Sequence, residues 1–183
     1  QALLGGAALI QYRNKAAVPA VRERQAGALQ SLCASFNTPL LINDDVELCL
    51  DIGAAGVHLG QQDCSLPEAR RRLGPKAIIG ISCHAREELA LAAQRDGASY
   101  VAMGRFFPSQ TKPEAPVSTL DDLRHVRRQL DVPLVAIGGL NAENGASLVN
   151  AGADMLAAIH YLFSTPCVRQ RTQEMNRLFQ RTS

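Results

Sequence analysis

Four times along the chain a Gly-Ala pair runs straight into a short apolar stretch: "GAALIQYR" from Gly6, "GAAGVHLG" from Gly53, "GASYVAMG" from Gly97 and "GADMLAAI" from Gly152. Glycine just past a helix takes the positive φ that other residues resist, and an apolar run behind it reads as a buried strand. Three further runs lack the tag: "PLLIN" from Pro39, "AIIGIS" from Ala77 and "PLVAIGG" from Pro133. The segments between them read as helices. Residues 18–35 are rich in Ala, Leu, Arg and Gln, and "SLPEARRRL" opens on the N-cap candidate Ser65 with Pro67 in its first turn. "REELALAAQR", "TLDDLRHVRRQL" and "TPCVRQRTQEMNRLFQ" have helical amphipathic spacing.

Short strands alternating with helices imply a parallel sheet with right-handed crossovers. Gly53 and Gly97 bracket two strand-helix units of about 22 residues each, a regularity that favours closure. No G-x-G-x-x-G follows a strand, so an open dinucleotide-binding sheet is disfavoured. The expected fold is α/β, a (β/α)₈ TIM barrel spanning residues 1–183 as a single domain. Its first strand is missing from this chain, which starts at Gln1 rather than Met. A barrel without that strand would keep two long edges, so an upstream segment is expected.

Composition excludes several classes. A net charge of +2 and 4% aromatics argue against nucleic-acid binding, and no apolar run approaches a membrane span. Five widely spaced cysteines, with no C-x-x-C pair, argue for reduced thiols in a cytoplasmic protein. The arginine-rich faces of "ARRRL" and of the C-terminal helix read as exposed, and they are the candidate contacts of a homo-oligomer.

In a barrel, chemistry belongs to the C-terminal ends of the strands. Here those ends carry Gln11, Arg13 and Lys15, then Asn43, Asp44 and Asp45, then Gln61 and Asp63, and then Ser82. The "RFFPSQTKPEAP" loop adds Ser109, Thr111 and Lys112, stiffened by Pro108, Pro113 and Pro116. Gly138 and Gly139 follow the next strand, and the last one runs into "IHYLF". Asp44 and Asp63 are hard oxygen donors suited to Mg²⁺, which takes one or two carboxylates beside substrate phosphates. Arg13, Lys15 and Lys112 suit phosphate oxygens. The residues alone thus point to a Mg-dependent enzyme whose ligand carries a diphosphate. Blander readings compete at single positions. Asp45 fits a helix N-cap, and His58 fits a satisfied core histidine. Cys83 and His84, adjacent on a strand, point apart and make no dyad.

The runs "QYRNK", "LINDD", "GVHLGQQD", "GISCH", "GRFFPSQTKPEAP" and "AIGGL" stand in the order and spacing of the thiamine-phosphate synthase family. The chain resembles that family over its whole length except the usual first strand. The resemblance implies a transferase that joins hydroxymethylpyrimidine diphosphate to a thiazole phosphate and releases diphosphate. It implies that Gln11, Arg13, Lys15 and Asn43 contact the pyrimidine diphosphate, with Ser82 and Lys112 completing that site. Asp44 and Asp63 would hold Mg²⁺, and Arg13, Lys15 and Lys112 would carry the catalytic charge. Ser109, Gln110, Thr111 and Gly139 would take the thiazole phosphate, helped by backbone at Ile159 and His160. The Ile-His pair stands where the family commonly has Val-Ser. Two relatives of this reading are a thiazole tautomerase-like enzyme and a non-catalytic thiamine-phosphate-binding domain.

Overall fold

The computed structural model describes residues 1–108 and 117–181. All seven expected strands form, in one parallel sheet ordered β1 to β7: β1 (Ile10–Tyr12), β2 (Leu40–Asn43), β3 (Gly56–Leu59), β4 (Ile78–His84), β5 (Tyr100–Met103), β6 (Leu134–Ile137) and β7 (Met155–Ala157). Strand order equal to chain order, with a helix after every strand, is TIM-barrel topology. The four tag glycines all take positive φ, from +65° at Gly53 to +108° at Gly152.

The helices foreseen are α1 (Pro19–Ser35), α3 (Leu66–Leu73), α4 (Glu87–Arg95), α5 (Leu120–Arg127) and α8 (Val168–Arg177). Three shorter ones, α2 (Val46–Ile52), α6 (Gly145–Asn150) and α7 (His160–Phe163), occupy segments without a helical sequence pattern. Side chains hold the starts of α2, α6 and α3. Asp45 caps α2 by accepting from Leu48 N at 3.0 Å, as its position suggested. Asn141 Oδ1 accepts from the Glu143 and Asn144 amides, both at 2.9 Å, ahead of α6. Ser65 caps α3 through Glu68 N at 3.4 Å.

The "ARRRL" face is not simply exposed. The Arg70 guanidinium donates to the carbonyls of Ala77 at 2.6 Å and Gly97 at 2.9 Å, tying α3 to the starts of β4 and β5. Arg171 likewise folds back onto α7, donating to Tyr161 O at 2.6 Å with its guanidinium 4.6 Å from the Tyr161 ring centre.

Alternation along each strand splits the core in two. Leu40, Ile42, Val57, Ile79, Val101 and Leu134 face outward into the layer under the helices. Leu41, Tyr100, Ala102 and Val135 face inward and fill the barrel. Asn43, His58 and Ser82 continue these inward positions toward the C-terminal ends of their strands. Among them Gly80 is a deliberate gap: it pairs with His58 on one side and Tyr100 on the other, and a Cβ there would lie 2.0 Å from Tyr100 Cζ.

Two glycines should therefore respond with opposite signs to alanine. Gly80→Ala must displace the Tyr100 ring and should destabilise by about 1–3 kcal/mol. Gly27 sits inside α1, and a methyl added there would meet nothing within 4 Å, so Gly27→Ala should stabilise by ~0.5–1 kcal/mol. Thermal or denaturant melts of the two variants check both signs.

Candidate active site

The first strand and its loop present the cations. Tyr12 is buried and donates to Gln25 Oε1 on α1 at 2.8 Å, and Asn14 Nδ2 donates to the same oxygen at 3.0 Å. Gln25 thereby pins both residues flanking Arg13, leaving Arg13 and Lys15 to project from a fixed turn. Among the described residues Arg13 has no carboxylate within ion-pair distance. Lys15 Nζ, in contrast, lies 2.7 Å from Asp44 Oδ2.

Asp44 leaves the end of β2 with φ of +65°, a conformation asparagine and aspartate tolerate best among non-glycine residues. Its amide donates to His58 O at 2.9 Å, fixing it beside the end of β3. Burial alone would raise its pKa. Hydrogen bonds from Lys15, contact with the Asp63 carboxyl, the Lys15 charge and the Asn43 side chain outweigh that and hold it below the ordinary value. Asp63 is oriented from the other side, accepting from Gly60 N at 2.7 Å.

Two carboxylates from successive strand ends thus meet beside an ammonium group. Among the described residues no cluster of three or more His, Cys, Asp and Glu could hold a metal. A pair of hard oxygen ligands fits a divalent cation whose remaining positions are filled by water and phosphate oxygens.

A cleft of about 480 Å³ opens against this group, lined by Arg13, Lys15, Asn43 and Asp44 and, from the helices, by Arg22 and Arg72. Those two arginines carry no sequence signal for the site, because they belong to helical faces. Each is held by an acid of the α2 N-terminus: Arg22 by Asp45 at 3.4 Å and Arg72 by Glu47. Gln11 lies one strand position before buried Tyr12 and is itself exposed, and neither it, Asp63 nor Ser82 lines the cleft. Ser82 is further round the barrel, its Oγ 2.8 Å from His58 Nε2 and its carbonyl accepting from Gln61 Nε2 at 2.7 Å. His58 is thus a satisfied interior residue, as anticipated, but its partner is one of the expected site residues.

Across the mouth, Gly138 and Gly139 have φ of +104° and +68°, and a Cβ on Gly139 would lie 2.4 Å from Pro108 O. Phe107 N donates to Gly138 O at 3.1 Å and Ser118 N to Arg105 O at 2.8 Å, so the base of the proline-rich loop is seated on the β6 end. Ser109, Gln110, Thr111 and Lys112 lie outside the described residues. Ile159 and His160 follow β7, both exposed, with His160 opening α7. Cys83 is fully buried, and burial pushes its thiol up to about 12, while neighbouring His84 takes φ of +53°. The two form no dyad.

Comparison with known proteins shows the family. The sequence profile described as thiamine monophosphate synthase matches residues 1–162. The thiamine-phosphate synthase of Thiobacillus denitrificans is 49% identical over 178 residues, covering 97% of this chain and 84% of that protein. The chain belongs to the thiamine-phosphate synthase family. It is accordingly a transferase. The family member of Marinobacter nauticus is 50% identical over 182 residues, covering 98% of this chain and 82% of its own. A solved thiamine phosphate pyrophosphorylase from Pyrococcus furiosus superimposes with a TM-score of 0.90 at 32% identity, covering 98% of this chain and 86% of that one.

The Lys15–Asp44 contact can be tested directly. Because the Asp44 pKa is depressed on folding, its contribution to stability is present above the ordinary value of 3.8 and lost as pH falls through the lower folded value. Lys15→Met should raise the Asp44 pKa in a carbon-13 carboxyl titration. The difference in melting temperature between wild type and variant should shrink as pH drops through that range. With Lys15 60% exposed, the difference should also be small and sensitive to salt.

Proposed function

We propose that the chain joins hydroxymethylpyrimidine diphosphate to a thiazole phosphate, giving thiamine phosphate and free diphosphate, with Mg²⁺ as cofactor. The observation that carries this reading is the meeting of Lys15, Asp44 and Asp63 at neighbouring strand ends, beside Arg13, which is unpaired among the described residues. Asp44 and Asp63 would hold the ion, which when bound supplies positive charge to the diphosphate oxygens.

In this reading Gln11, Arg13, Lys15 and Asn43 bind the pyrimidine diphosphate, and Ser82 and Lys112 complete its site. Ser109, Gln110, Thr111 and Gly139 bind the thiazole phosphate, with backbone at Ile159 and His160. His160, in the usual place of a serine, offers a ring N–H to phosphate in place of a hydroxyl.

The reaction needs no protein nucleophile. The bond between the pyrimidine methylene carbon and the diphosphate oxygen breaks first, its electron pair leaving with diphosphate. The thiazole nitrogen lone pair then forms the new C–N bond to the cation. Arg13, Lys15 and Lys112 stabilise the charge that grows on the leaving group, in a site built before the reaction begins. The second requirement is to hold the thiazole nitrogen beside the cation, which is a matter of positioning.

The full set of cations and carboxylates favours transfer over a tautomerase-like activity or a silent binding domain, neither of which needs diphosphate chemistry. The seven-stranded fold supports a single domain, and the free, buried Cys33, Cys49 and Cys83 support a cytoplasmic location. Among the described residues no helix is long and apolar enough to cross a membrane.

Incubation with both substrates and Mg²⁺ should yield thiamine phosphate, identified by mass. EDTA should abolish product and excess Mg²⁺ restore it, and Asp63→Asn should raise the Mg²⁺ concentration required. Lys112→Ala should slow turnover roughly 10²-fold, the scale of one lost charge-stabilising donor. Coupling that proceeds without metal would refute the assignment of Asp44 and Asp63.

A further inference from the structure

Behind Ser82 lies a chain of buried polar groups that the reaction above leaves unused. His58, Gly80 and Tyr100 sit side by side on β3, β4 and β5, and the missing side chain of Gly80 lets the Tyr100 ring reach across to His58. The two rings stack with centroids 5.6 Å apart and planes 25° from parallel. Tyr100 Oη is 2.8 Å from His58 Nδ1, and His58 Nε2 is 2.8 Å from Ser82 Oγ. A tyrosine in the middle of a barrel otherwise packed with Leu41, Ala102 and Val135 is a costly choice unless its hydroxyl has a task.

The direction of the protons along this chain follows from counting donors. Among the described residues Tyr100 Oη has one hydrogen-bond partner, His58 Nδ1. Burial pushes the Tyr100 phenol well above its ordinary value, so it keeps its proton at neutral pH. If Nδ1 also carried a proton, the phenol would have to accept, and its own O–H would be buried without an acceptor. A buried donor left unmade is the costly alternative. Tyr100 therefore donates to Nδ1, the imidazole proton resides on Nε2, and Nε2–H donates to Ser82 Oγ. Ser82, half-buried at the end of β4, accepts from behind and keeps its own O–H to donate forward.

We propose that the Tyr100–His58 pair is a positioning device that fixes Ser82 as a hydrogen-bond donor toward the diphosphate group of the substrate. Diphosphate oxygens only accept, so a serine turned the other way, giving its proton to histidine, would offer them a lone pair. The opposite tautomer would thus convert an attraction into a repulsion at the leaving group. Gln61 steadies the same residue through its carbonyl, so Ser82 is held at both backbone and side chain. This inference rests on the transfer reaction proposed above for its choice of ligand, but the proton arrangement itself does not.

Two measurements test it separately. Nitrogen-15 NMR of histidine-labelled protein without substrate should show His58 as the neutral Nε2–H tautomer. An Nδ1–H tautomer would overturn the proposal, whether or not the protein turns over. The second measurement is a double-mutant cycle on kcat/KM for hydroxymethylpyrimidine diphosphate at saturating Mg²⁺ and thiazole phosphate. His58→Leu should lower kcat/KM about tenfold or more, the range seen when an orienting partner behind a functional group is lost. In the Ser82→Ala background the same change should cost less than about twofold, because the group it orients is gone. An equal loss in both backgrounds would make His58 merely structural and refute the proposal. If His58→Leu does not fold, Tyr100→Phe, which keeps the ring over Gly80, replaces it in the cycle with the same criterion. Failure of the wild type to form thiamine phosphate would instead count against the reaction and leave the tautomer result standing.

Discussion

Parallel pairing in register is the constraint from which everything else follows. Asn43 pairs with His58, His58 with Gly80 and Gly80 with Tyr100, so one row of residues crosses three strand boundaries at a single height. Alternation turns this whole row inward, with Leu41 one inward position before Asn43 and Ser82 one inward position after Gly80. A one-residue slip in any strand would exchange inward and outward sets and destroy both layers. The polar mouth and the apolar floor are therefore one structural decision. The loops only add to a face that strand register has already defined.

Among the described residues of that face the electrostatics are arranged in pairs, with one cation held back. Lys15 meets Asp44, Arg22 meets Asp45 and Arg72 meets Glu47, while Arg13 stays unpaired among the described residues. Paired charges at an open cleft hold each other in place cheaply, and an anionic ligand can exchange for the acidic partner. Asp45 and Glu47 also sit at the N-terminal end of α2, where its dipole favours negative charge. Asp45 is therefore committed twice, as cap and as ion-pair partner, and is separated in role from Asp44 next to it.

The strands are legible in the sequence because their signals are local. Gly53, Gly97 and Gly152 mark helix-to-strand junctions, and Gly6 the turn that leads into β1, by a backbone requirement that no neighbour can alter. The strand-end rule then locates Arg13, Lys15, Asn43, Asp44, Asp63 and Ser82 without any knowledge of contacts. Helices α2, α6 and α7 are not legible, since pieces of four to seven residues draw their stability from caps and tertiary packing rather than from periodicity. The same limit applies to Gln25, Arg22 and Arg72, which lie on helices and reach the site only through the fold. Ser82 stands out at its strand end, but its dependence on His58, 24 residues earlier, and on Tyr100 beyond that, is a fact of register. Arg70 looks like plain surface charge for a similar reason: its acceptors are carbonyls, which carry no sequence signature.

The central claim is that Asp44 and Asp63 act as one oxygen site for a divalent ion that shares the diphosphate. It is tested most directly with Mn²⁺, which accepts the same hard ligands as Mg²⁺ and broadens nearby NMR signals. Protein labelled with carbon-13 at aspartate carboxyls would be titrated with substoichiometric Mn²⁺ in the presence of inorganic diphosphate. Asp44 and Asp63 should broaden first and together, well before Asp51 at the far end of α2, and Asp63→Asn should strongly reduce the broadening at Asp44. Broadening of Asp44 that is unchanged in Asp63→Asn, or no earlier than that of Asp51, would contradict the claim.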